Sequence, residues 1–109
     1  MTKIELINKL ASLPELIEQA ENEVIKANQA IQGAKDILLD HEDTLRLSGA
    51  ITGKNVEERT AQLRQNTQIE RNAIQQADNV ASGARAKFNR LLNELAICKA
   101  IAGMLKGAE

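Results

Sequence analysis

Apolar residues recur along the first half of the chain at alternating steps of four and three: Leu6, Leu10, Leu13, Ile17, Ala20, Val24, Ala27, Ile31, Ala34, Leu38, His41 and Leu45. That spacing is a heptad seam, the mark of a helix packed lengthwise against another helix. Its a positions are bulky (Leu10, Ile17, Val24, Ile31, Leu38, Leu45), whereas the d positions after Leu13 are mostly Ala. Small residues on one side of a seam let a partner backbone come close. The second half repeats the pattern through Val56, Thr60, Leu63, Thr67, Glu70, Ile74, Ala77, Ala81, Ala84, Phe88, Leu91, Leu95, Cys98, Ala102 and Leu105, and weakens only around Thr67 and Glu70.

Between the seams lies Leu47-Ser48-Gly49-Ala50-Ile51-Thr52-Gly53-Lys54-Asn55, with two glycines suited to a chain reversal. Asn55 is placed to cap a second helix, Glu58 stands at the capping-box position, and Glu57 and Glu58 favour the positive end of the helix dipole. The pattern predicts an all-α fold with one domain, 1–109: helix 3–46, turn 47–55 and helix 56–105, folded as an antiparallel two-helix coiled-coil hairpin. Arms of about 43 residues at 1.5 Å per residue give a rod of roughly 65 Å. Pro14 interrupts the first helix, and the unbroken phase from Leu10 to Ile17 favours a kink over a separate short helix capped by Ser12 and Glu15. Gly33 and Gly83 fall mid-helix and are expected at close contacts or bends.

Folding about the turn pairs residues whose numbers sum to about 103, which places Val24 opposite Ala77 and Ala81, and Ile17 opposite Ala84 and Phe88. The flanking charges test that register separately. It sets Glu42 near Arg64, Glu21 near Arg85 and Lys9 near Glu94, all opposite in sign, with Lys35 near Arg64 or Arg71 as the exception.

Leu16, Ala30 and Ile37 of the first helix line up with Ala73, Val80 and Ile101 of the second in a further apolar stripe that two helices alone do not bury. A two-helix hairpin also buries little area against its chain entropy. Self-association is therefore expected, most simply a dimer forming a four-helix bundle, or a higher oligomer.

Composition sharpens this. Apolar residues make up 43 % of the 109, yet Phe88 is the only aromatic, so the core is aliphatic and an all-β fold is excluded. The first fifty residues carry five basic and nine acidic side chains, the remaining fifty-nine carry nine and six, so the halves attract each other. A lone cysteine, the absence of a secretory leader and the absence of a long apolar run point to a reducing, soluble compartment, the cytoplasm.

No catalytic constellation is visible, so the chain is read as a non-enzyme without a cofactor. Gly49 to Lys54 has the flavour of a phosphate loop, but it has three residues between its glycines where that loop has four, no preceding strand, and Asn55 where a magnesium-binding hydroxyl belongs. Asp40, His41, Glu42 and Asp43 are metal-competent types, yet consecutive helical residues point in different directions and do not converge. His41 instead reads as a polar register-fixing seam residue, and Cys98 as a small buried hydrophobe. Glu70 in the seam reads equally as a register-fixing residue or as a bulge or polar contact with another subunit.

The remaining chemistry is basic. Arg59, Arg64, Arg71, Arg85, Lys87, Arg90 and Lys99 line the second helix, and a nucleic-acid or nucleotide reading would use Lys54, Arg59, Arg71, Lys87 and Arg90, gathered from several chains of an oligomer. Against it, Arg64 and Arg85 have expected acidic partners, and no aromatic platform is free for base stacking. The leading reading is a self-associating interaction protein that binds a protein partner through outer faces including Ile25, Leu39, Ile69 and Ile97.

The stretch Leu47-Ser48-Gly49 to Thr52-Gly53-Lys54-Asn55-Val56-Glu57-Glu58-Arg59-Thr60-Ala61-Gln62-Leu63 resembles the turn-and-restart segment of small uncharacterised helical-hairpin proteins of bacteriophages and prophages. The resemblance implies a phage-encoded accessory protein, acting with DNA replication or recombination enzymes or against a host component, and it transfers no catalytic residue. The chain also has the size of secreted hairpins of the WXG type but lacks the tryptophan those carry in their turn.

Overall fold

The computed structural model of the protein describes residues 1–108, and they are all-α: α1 (Lys3–Leu47), α2 (Val56–Asn66) and α3 (Gln68–Ala108), with no strand among the described residues. α1 starts on a reciprocal capping box. Thr2 Oγ1 accepts from the Glu5 amide at 3.1 Å and Glu5 Oε2 accepts from the Thr2 amide at 3.3 Å. The helix runs through Pro14 without interruption. Ser12 caps nothing there, because its hydroxyl donates back to the Lys9 carbonyl at 2.9 Å as mid-helix serines do.

α1 ends in a Schellman motif. Gly49 takes φ +76°, its amide donates to the Arg46 carbonyl and the Ala50 amide donates to the Leu45 carbonyl. The reversal is then fixed from the α2 side. Asn55 Oδ1 accepts from the Glu58 amide at 2.8 Å and Glu58 Oε2 accepts from the Lys54 amide at 2.8 Å. Gln62 Oε1 accepts from the amides of Thr52 and Gly53 at 2.9 and 2.8 Å, while its Nε2 donates to Thr52 Oγ1.

The expected unbroken helix 56–105 is divided at Thr67, which lies between α2 and α3 at φ −124°, ψ 27°. This is where the seam weakens in sequence. Thr67 is fully buried, its hydroxyl donates to the Leu63 carbonyl at 2.6 Å and accepts from Arg71 Nε at 3.0 Å. A side chain competing for the backbone carbonyl in this way offers the chain an alternative to the helical ladder. Gly33 and Gly83 mark no close contact: a Cβ at either position would meet nothing within 4 Å.

The helices group into two compact units, 1–26 with 82–109, and 27–81. In the first, segments of α1 and α3 lie side by side in opposite directions, joined by ion pairs of Lys9 with Glu94 and of Glu23 with Lys87. The expected Lys9 and Glu94 pair is therefore present. Leu6, Leu13 and Cys98 form the core of this unit, with Leu10, Ile17, Leu91, Leu95, Ile101 and Ala102 packed on it. In the second unit the end of α1 returns through the turn along α2 and the start of α3, burying Ala27, Leu63, Thr67 and Ala81.

Candidate functional site

The second unit holds a polar layer where a heptad seam is ordinarily apolar. His41 on α1 places Nδ1 2.6 Å from Glu70 Oε1 on α3. That nitrogen is buried, and the approach does not form an aligned hydrogen bond. Beside it, Glu42 faces Arg71 and Arg46, each at 3.9 Å, and Arg46 reaches Asp43 at 3.3 Å. The expected Glu42 and Arg64 pair is replaced by Glu42 and Arg71. The inward-facing positions keep their four-three spacing through the break at Thr67, and the Thr67 hydroxyl holds the Arg71 guanidinium at that place. Glu70 thus faces His41 within the chain.

The basic residues singled out for phosphate contacts are not gathered. Arg71 is committed to Thr67 and Glu42, and Lys87 lies 3.3 Å from both carboxylate oxygens of Glu23. Arg59 Nη1 donates to the Gly53 carbonyl at 3.4 Å, and Arg90 is exposed. Lys54 gives its amide to Glu58. The turn itself cannot cradle a phosphate as it stands, because the amides of Thr52, Gly53, Lys54 and Glu58 already donate to Gln62, Glu58 and Asn55 side chains.

Of the proposed interface residues, Leu16, Ala30, Ile37, Ala73 and Val80 are exposed, with Ile37 at 62 % and Val80 at 65 %. Ile101 departs from expectation: it is half-buried on the Leu6, Leu13 and Cys98 cluster. Ile25, Leu39, Ile69 and Ile97 are all exposed. Among the described residues no three His, Cys, Asp or Glu side chains converge on a common point, and no helix is long and apolar enough to cross a membrane.

Two clefts stand out that the sequence did not reveal. One of about 180 Å³ lies in the first unit among Lys3, Leu6, Ile7, Leu10, Ala102, Leu105 and Lys106. The larger, about 370 Å³, lies in the second unit between the last turn of α1 and the start of α2, lined by Arg46, Ile51, Val56, Arg59, Thr60 and Leu63. Its lining residues all fall between positions 46 and 63 but on both sides of the turn, and they meet because the reversal closes, which periodicity alone does not show. Comparisons with family models, with curated proteins and with solved structures find no match.

Proposed function

We propose that the protein is a non-enzymatic, self-associating helical-hairpin interaction protein, an antiparallel coiled coil that dimerises into a four-helix bundle or higher oligomer. In this reading it is a phage-encoded accessory or host-interaction adaptor working in the cytoplasm. The observation that carries self-association is how unevenly the seam is sealed. Ala20, Ala27, Ala81 and Ala84 are buried, while the bulky seam residues Leu10, Ile17, Val24, Ile31 and Leu38 remain half-buried. The alanines bury little area, and the large aliphatics keep area to bury against another surface.

The total exposed area agrees. The chain exposes 7872 Å² at 11.9 kDa, where a folded monomer of that mass exposes about 6,000 Å². The surplus exceeds the roughly 800 Å² that each partner contributes to a standard interface. The competing reading, nucleic acid or a nucleotide held by the basic second helix, loses support because Arg71 and Lys87 are spent on Glu42 and Glu23. Sedimentation equilibrium at micromolar concentrations tests the proposal: a dimer or larger species is expected, and a monomer would overturn it.

A further inference from the structure

The 370 Å³ cleft of the second unit is built from two kinds of wall. Ile51, Val56 and Leu63 supply branched aliphatic surface, and Arg46, Arg59 and Thr60 supply cationic and hydroxyl groups. From this pairing we infer that the cleft is a docking site for a peptide segment of a protein partner in which a carboxylate side chain neighbours an aliphatic one. This names the chemistry of the partner in the reading above and rests on that reading only in taking the ligand from a protein.

Three features favour such an occupant. First, the walls are preorganised. Gln62 clamps the Thr52 and Gly53 amides, and Gly53 is pressed against α2 so tightly that a Cβ there would lie 2.7 Å from the Arg59 amide nitrogen. Arg59 is itself steered by the Gly53 carbonyl, a contact that uses one of its five N–H donors and leaves others to meet a carboxylate. Second, the charge is complementary to an acid. Arg46 is already met by Asp43 and Glu42, so the guanidinium that the cleft offers to a carboxylate is that of Arg59. Third, the apolar walls carry no aromatic ring, so a nucleobase finds no stacking surface while a leucine or isoleucine side chain finds area to bury. Val56, 70 % exposed, leaves the mouth open for a chain to continue on either side.

The test is fluorescence anisotropy with the full chain and a labelled peptide alternating leucine and glutamate, beside peptides with glutamine or lysine in place of glutamate. Saturable binding of the glutamate peptide is expected, weakened about tenfold or more for the glutamine peptide and in Arg59→Gln, since one charge-assisted bond carries that much affinity. Arg59→Lys should restore part of the loss, with helix content by circular dichroism unchanged in both variants. Equal binding of the three peptides, unaltered affinity in Arg59→Gln, no binding up to millimolar peptide, or displacement by ATP at lower concentration than by unlabelled peptide would each overturn the site. Sedimentation of the same samples keeps the two readings apart: peptide binding by a monomer supports the cleft and removes the dimer, and a dimer that binds no peptide does the reverse.

Discussion

Gly53 in the turn and Gly33 in mid-helix carry opposite costs when a Cβ is added. A Cβ at Gly53 would lie 2.7 Å from the Arg59 amide nitrogen and 2.8 Å from Glu58 Cβ, and most of what surrounds it is backbone that cannot yield cheaply. Gly53→Ala must therefore open the turn and loosen the Gln62 clamp, at a cost on the order of 1–3 kcal/mol. Gly33 sits mid-helix with open space where its Cβ would go, so Gly33→Ala should stabilise by about 0.5–1 kcal/mol through helix propensity. Urea unfolding at one fixed protein concentration reads both, and a shift of the same sign in the two variants would contradict the assignment. The Lys9 ammonium carries a pH signature: the hydrogen bond from Lys9 to Glu94, and then the carboxylate's charge, raise it above the ordinary lysine value. A cation favoured in the folded state stabilises below its unfolded pKa and loses that contribution as pH climbs through the raised value. Lys9→Gln should thus lower the melting temperature slightly at neutral pH, because the pair is exposed, and the difference from the parent chain should vanish in strong alkali.

At the scale of elements, the helices were legible where the deciding forces are local. The ladder from Leu6 to Leu45 marks the positions that α1 turns inward, and the Asn55 and Glu58 capping signals lie at the start of α2 where the side chains form both bonds. The Thr2 and Glu5 box at the start of α1 is equally local. The division at Thr67 is different. Its neighbours are ordinary helix formers, and what separates α2 from α3 is a buried hydroxyl shared between Leu63 and Arg71, while the following turn of α3 turns Glu70 toward His41 on another helix. The sequence shows a weak seam there but not which tertiary contact resolves it, just as it cannot foresee that the reversal brings Arg46 and Arg59 to one cleft. Thr67→Val keeps the shape of the side chain while orphaning the Leu63 carbonyl contact and Arg71 Nε, so it should destabilise by about 1–2 kcal/mol. Chemical denaturation measures it, and a neutral result would mean that the break is held by His41 and Glu70 instead.

For the molecule as a whole, stability and association are expected to be one quantity. Its fully sealed core is short of bulk: in the second unit, Leu63 is the one large aliphatic that is buried, among Ala27, Ala81 and Thr67. A core of that size leaves little surplus over the roughly 1–2 kcal/mol of backbone entropy per ordered residue. If the half-buried aliphatics are covered by a second copy, unfolding releases that copy, and the melting temperature must rise with protein concentration. Ile37→Glu or Val80→Glu tests the link, since both side chains are exposed in the single chain and a charge there offends nothing within it. Each variant should remain helical by circular dichroism, shift toward monomer in sedimentation, and melt at a lower temperature that no longer depends on concentration. A variant that keeps the parent's mass and concentration dependence would place the interface on another face of the helices. A parent chain whose melting is independent of concentration would mean that the pair of opposed segments in each unit is sufficient by itself.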